Sequence, residues 1–99
     1  MTNRIDQIIK EAKKSSKTII SSFITVGFPN KSTSIEVASK LLKNEVDIIE
    51  LGIPFSDPIA EGPTIQKTSQ IALSQGVTLD SCIEAAKKVR DSNKKSGII

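Results

Sequence analysis

Apolar residues along the chain follow two different periods, and the two periods alternate. Over residues 2–14 they recur every three or four positions, as on the buried side of an amphipathic helix. The next apolar run, 18–26, is rich in β-branched residues and ends at Gly27 and Pro29, which is typical of a strand. A second strand over 46–52 is almost continuously apolar, as expected when both faces of a strand are covered.

The same periodicity continues to the end of the chain. Thr33 and Glu36 have the spacing of a helix capping box, so we place a helix start at Thr33. The predicted elements are a helix over 2–14, a strand over 18–26, a helix over 33–44, a strand over 46–52, a loop over 53–62, helices over 63–75 and 79–91, and the start of a strand over 97–99.

This alternation of strands and helices predicts an α/β fold with a parallel sheet, within one domain spanning residues 1–99. Two architectures fit, the doubly wound sheet and the (β/α)8 barrel. The first strand–helix turn reads "VGFPNKSTS" and lacks the glycine-rich phosphate fingerprint of dinucleotide-binding folds. Periodicity alone does not choose between the two.

The amino-acid composition limits the partners and the kinds of reaction to expect. The net charge is +3, from 14 basic and 11 acidic residues, and no basic patch interleaved with aromatics indicates nucleic-acid binding. Cys82 is the single cysteine and histidine is absent, so we expect carboxylates to perform any acid/base reaction, without a metal. No stretch has the length and hydrophobicity of a signal peptide or membrane span, which makes the cytoplasm the expected location.

Glu50 is the first candidate, because it interrupts the apolar run near the carboxyl end of the second strand. Side chains alternate across a strand, so Glu50 shares a face with Ile48. Active sites of parallel α/β folds collect at this end, where a partly desolvated carboxylate can exchange protons near neutral pH. The alternative interpretation is structural, with Glu50 paired to a lysine or capping the loop.

The proline-rich loop over 53–62 carries the second candidate, Glu61. Its prolines exclude helix and favour extended backbone. Glu61 either serves as a negative charge at the start of the following helix or is brought over the strand end to face Glu50 across a ligand. Phe23, near the end of the first strand, is by default a core residue, but it forms an apolar wall for a flat ligand if it faces the same way as Glu50.

The stretch "IELGIPFSDPIAEGPTIQ" over 49–66 closely resembles the signature of the tryptophan synthase alpha subunit family, and "FITVGFP" resembles that family's first strand and turn. "GVT" at 76–78 fits as well. The resemblance implies a (β/α)8 barrel with an extra N-terminal helix. The implied reaction is retro-aldol cleavage of indole-3-glycerol phosphate to indole and glyceraldehyde 3-phosphate, in tryptophan biosynthesis.

The resemblance also implies site residues. Glu50 matches the catalytic general acid/base, and Glu61 takes the position of a second carboxylate that interacts with the indole N–H. Phe23 matches an aromatic residue that packs on the indole, and Pro54 and Asp57 match contacts to a beta subunit in an alpha2–beta2 heterotetramer. The family's alpha subunit uses no cofactor, since pyridoxal phosphate belongs to the beta subunit.

Two features depart from the family pattern. Glu61 replaces an aspartate, which lengthens the side chain by one methylene at a site where misplacement by about 1 Å costs roughly a hundredfold in rate. The chain also corresponds to about the first two and a half βα units of a barrel that needs about 250 residues. We therefore expect no catalysis by the 99 residues alone. The alternative function is a non-catalytic fragment that retains only the loop contacting the beta subunit.

Overall fold

The computed structural model describes residues 3–54 and 62–99. The elements in these ranges are helices α1 (Arg4–Ser15), α2 (Lys31–Lys43), α3 (Gly62–Ser74) and α4 (Leu79–Ser92), and strands β1 (Ser21–Thr25), β2 (Ile48–Gly52) and β3 (Gly97–Ile98). Most of the predicted loop over 53–62, including Asp57 and Glu61, lies outside the described residues.

Helix α2 begins earlier than predicted because Asn30, not Thr33, is its N-cap. The Asn30 side chain accepts a hydrogen bond of 2.9 Å from the Thr33 amide, which satisfies one of the free N–H groups at the helix start. Glu36 does not reach back to the cap but pairs with Lys40 at 3.3 Å. The capping box predicted at Thr33 and Glu36 is therefore wrong, and a capping box instead starts α4, with Thr78 as its N-cap.

Both long strands are shorter than the apolar runs that predicted them. The run 18–26 contains β1 at Ser21–Thr25, and the run 46–52 contains β2 at Ile48–Gly52. At the amino ends the cause is Asp47, whose carboxylate accepts hydrogen bonds from the Ile20 amide at 3.1 Å and from Lys17 Nζ at 3.3 Å. Because this side chain takes the Ile20 N–H, regular strand pairing begins one residue later.

The three strands form a parallel sheet in the order β1-β2-β3. Phe23 in β1 lies opposite Glu50 in β2, and Ile48 lies opposite Gly97 in β3. Residues paired in this way point to the same face of a parallel sheet. Phe23, Glu50, Ile48 and Gly97 therefore belong to one face, which we call the inner face.

The opposite face packs against the helices and forms the core. Ile49 and Val89, at its centre, have no solvent-exposed surface (0%), and fully burying side chains of this size stabilises a fold by roughly 1.5–3 kcal/mol each. Ile49 and Val89 cluster with Ala38 and Leu42 of α2, and a second core cluster joins Ala72 of α3 to Cys82 and Ala85 of α4. No helix within the two described ranges is long and apolar enough to cross a bilayer.

Candidate active site

Glu50 and Phe23 lie side by side on the inner face, which α2 and α4 leave uncovered. The two residues are opposite each other in the β1–β2 pair. Ile49 and Leu51, on either side of Glu50, pack with the core of α2 and α4, so the Glu50 side chain points away from those helices. Phe23 exposes 44% of its surface and Glu50 is half-buried. The inner face therefore presents a carboxylate next to an accessible aromatic ring.

The hydrogen-bond and ion-pair partners of Glu50 test the alternative interpretation, in which Glu50 has a structural role and pairs with a lysine. The Ser21 hydroxyl donates a hydrogen bond of 3.4 Å to Glu50 Oε2. Every lysine and arginine of the chain lies within the described ranges, and none of them forms an ion pair with Glu50. A lysine or arginine partner for Glu50 is thus not observed.

Gly52 determines where the Phe23 ring can lie. A Cβ atom at Gly52 would approach Phe23 Cζ to 2.3 Å and Cε2 to 2.8 Å, well inside van der Waals contact. The ring therefore extends from β1 across the backbone of Gly52, toward the carboxyl end of β2. Phe23 has its apolar face beside Glu50 because the position two residues farther along β2 carries no side chain.

Other elements contact the inner face on both sides of Glu50 and Phe23, toward the amino ends and toward the carboxyl ends of the strands. Toward the amino ends of the strands, a Cβ at Gly97 would meet Ile5 Cγ1 at 3.0 Å and Ile8 Cδ1 at 3.4 Å, so α1 covers that part of the face. Toward the carboxyl ends, the hydroxyls of Thr25 in β1 and Thr68 in α3 share a hydrogen bond of 2.9 Å. Glu50 and Phe23 thus lie between the part of the inner face that α1 covers and the Thr25–Thr68 contact.

The remaining predicted site residues are placed as follows. Pro54 lies two residues after the end of β2 and is buried. Asp57 and Glu61 lie outside the described residues. The structure brings Glu50 together with Phe23, and adds Ser21, Gly52 and Thr25, which are not among the predicted site residues. Alternation along β1 places Ser21 and Thr25 on the face of Phe23, but only the register between strands shows that Ser21 meets Glu50.

Within residues 3–54 and 62–99, no group of three or more His, Cys, Asp or Glu residues is arranged to hold a metal ion. Cys82 is a free cysteine in the core, and burial raises the pKa of its thiol. A raised pKa keeps the sulfur protonated near neutral pH, which disfavours a nucleophilic role. Among the described residues that the sequence singled out for proton transfer, this leaves the carboxylate of Glu50.

Comparison with known proteins gives consistent likenesses. The family model described as tryptophan synthase alpha chain matches residues 9–99. The tryptophan synthase alpha chain of Polynucleobacter asymbioticus is 40% identical over 97 residues, covering 98% of this chain and 37% of the relative. That of Flavobacterium johnsoniae is 42% identical over 92 residues, covering 93% of this chain and 35% of the relative.

Solved structures show a likeness to the same family. The crystal structure of tryptophan synthase subunit alpha from Legionella pneumophila superposes with a TM-score of 0.94 at 34% identity, over 99% of this chain and 37% of that one. The fold prediction is confirmed: the three parallel strands and their helices are the N-terminal part of a (β/α)8 barrel, with an extra N-terminal helix. The chain spans little more than a third of the length of the curated relatives it matches, 37% in the first case.

Proposed function

The chain belongs to the tryptophan synthase alpha chain family, and from this premise we propose that it carries the proton-transfer part of a carbon–carbon lyase site. The proposed substrate is indole-3-glycerol phosphate, and the proposed products are indole and glyceraldehyde 3-phosphate. The observation that carries the proposal is the position of Glu50: on the inner face, opposite Phe23 and, within residues 3–54 and 62–99, without a lysine or arginine partner.

The chemistry requires one group that both gives and takes a proton. Glu50, when protonated, donates its proton to the indole ring carbon that bears the glycerol chain, which leaves a positive charge delocalised onto the ring nitrogen. The resulting carboxylate then takes the proton of the glycerol hydroxyl next to the ring. As the carbon–carbon bond breaks, its electron pair returns to the ring and the hydroxyl carbon becomes a carbonyl. Glu50 ends in its starting state, as general acid/base catalysis requires.

Two other residues complete the proposed site. The exposed Phe23 ring (44% accessible) offers a flat apolar surface on which an indole can pack, beside the proton donor. Glu61 would accept a hydrogen bond from the indole N–H and stabilise the ring's positive charge. Its role rests on the family resemblance alone, because it lies outside the described residues.

We expect the 99-residue chain on its own to release no indole above the uncatalysed rate, since the described residues supply three parallel strands of a barrel that is built from eight. Incubating the purified chain with indole-3-glycerol phosphate and following indole by absorbance checks this. Indole release by the isolated chain that disappears in Glu50→Gln would show that the remaining strands are dispensable.

The test of the proposed reaction is a chimera in which these residues replace the matching portion of the Legionella pneumophila alpha subunit. We expect the chimera to release indole from indole-3-glycerol phosphate. A folded chimera, with a cooperative unfolding transition like that of the Legionella parent, that releases none would contradict the proposed function.

The family also suggests a partner, and we propose a beta subunit in an alpha2–beta2 complex, with pyridoxal phosphate held by the beta subunit. Titrating the 99-residue chain onto a beta subunit and following its reaction with serine tests this. Asp57→Ala should weaken the effect about tenfold, as the loss of one interfacial charge does. Asp91→Ala, an exposed aspartate in α4, should leave it unchanged. Absence of any effect at high micromolar concentration would remove the partner, and with it the alternative of a non-catalytic docking fragment.

A further inference from the structure

Ser21 lies on the inner face, and its hydroxyl reaches the carboxylate of Glu50. It is paired in register with Ile48, two residues before Glu50 in β2, so both side chains leave the sheet on the same side. The distance from Ser21 Oγ to Glu50 Oε2 is 3.4 Å. Within the described ranges Ser21 is the one side chain that hydrogen-bonds this carboxylate. We propose that Ser21 is a positioning residue for Glu50: it holds Oε2 toward β1 and leaves Oε1 to exchange protons with substrate.

The need for such a residue follows from the length of the glutamate side chain. Glu50 has three rotatable bonds and is only half-buried, so packing alone does not fix its carboxylate. A catalytic group that moves by about 1 Å loses roughly a hundredfold in rate. One hydrogen bond from a rigid strand restricts the carboxylate to orientations near β1, which is the strand that also carries Phe23.

A hydroxyl suits this task better than a cation would. A lysine or arginine beside the carboxylate would hold it in its ionised form and oppose protonation, whereas a neutral donor lets the same group accept and release a proton. A separation of 3.4 Å is longer than the roughly 2.5–3.0 Å usual for a hydrogen bond between two oxygens. Such bonds are often long in unliganded sites and shorten when substrate fills the site.

The inference rests on the proposed function of Glu50, but its test needs no turnover. NMR relaxation of the Glu50 side-chain methylenes in the 99-residue chain reports how ordered that side chain is. In Ser21→Ala we expect the order parameter to fall by about 0.2 or more, comparable with the difference between rigid and flexible groups. In Ser21→Thr, which keeps the hydroxyl, we expect the parent value. Ser21→Val also lacks the hydroxyl and suits a strand, so it serves if Ser21→Ala fails to fold.

Ser22→Ala is the matched control, since Ser22 is the next residue of β1 and is paired with Ile49 on the opposite face. We expect no change at Glu50 in this variant. A Glu50 side chain as ordered in Ser21→Ala and Ser21→Val as in the parent would overturn the proposal. The two hypotheses fail separately: an inactive chimera contradicts the reaction but not the ordering of Glu50, and an unaffected Glu50 contradicts the role of Ser21 but not the reaction.

Discussion

Replacing Glu50 with glutamine is expected to lower the rate of indole release by the chimera by between roughly 10² and 10⁴, the usual contribution of a positioned general acid/base. Glutamine keeps the size of the side chain and can still accept a hydrogen bond from Ser21, but it neither donates nor takes up a proton at neutral pH. The substrate should therefore still bind beside Phe23. We expect kcat to fall with little change in KM, as measured by initial rates over a range of indole-3-glycerol phosphate concentrations.

Glu84→Gln is the control for this substitution. Glu84 is exposed on α4, away from the inner face, so the same chemical change there should leave both kcat and KM within experimental error. A Glu50→Gln chimera that retains more than about a tenth of the parent rate would exclude Glu50 as the proton carrier, because proton-transfer catalysts contribute more than that. An equal loss in both variants would indicate a general effect of removing negative charge.

The fold was predictable because the spacing of apolar residues differs clearly between the helical segments and the strand segments. Residues 46–52 are almost wholly apolar and lead to a strand buried on its helix-facing side, with Ile49 fully enclosed at 0% exposure. The ends of the strands were less predictable. Asp47 lies within the run that predicted the strand, but β2 begins only after it. The Asp47 carboxylate instead accepts a hydrogen bond of 3.1 Å from the Ile20 amide. A side chain that bonds to a neighbouring strand is a tertiary contact, which periodicity along one segment does not reveal.

The candidate site, like the fold, was predictable only in part from the sequence. Alternation within β2 is enough to predict that Glu50 faces away from Ile49, and the carboxyl end of the strand marks it as a candidate. Whether Phe23 accompanies it depends on the register of β1 against β2, which sets Phe23 opposite Glu50. A shift of one residue would turn Phe23 into the core and leave Glu50 without the aromatic ring. Ser21 escaped prediction for this reason, since its role comes entirely from the neighbouring strand.

Substituting Gly27 with alanine is expected to destabilise the fold by about 2–5 kcal/mol, a large part of the total for a domain of this size. Gly27 follows β1 with a φ of +94°, a conformation that L-residues adopt only with strain. An added Cβ would also approach Val77 Cγ2 to 2.3 Å and Ala72 Cβ to 3.2 Å. Both neighbours are buried, Val77 at 5% exposure and Ala72 at 0%, so neither can move aside without disturbing the packing of α3 on β1. Urea unfolding followed by circular dichroism measures the change.

Gly76→Ala separates the two causes. Gly76 also has a positive φ, +82°, but an added Cβ there meets nothing within 4 Å. Its replacement therefore carries only the backbone strain, about 1–2 kcal/mol, whereas Gly27→Ala adds the overpacking against Val77. Combining Gly27→Ala with Val77→Ala should recover part of the loss, because the smaller side chain makes room for the new methyl group. Equal destabilisation in the two single variants would show that Val77 and Ala72 do not pack closely on the turn after β1. No recovery in the double variant would show that Val77 is not the obstacle.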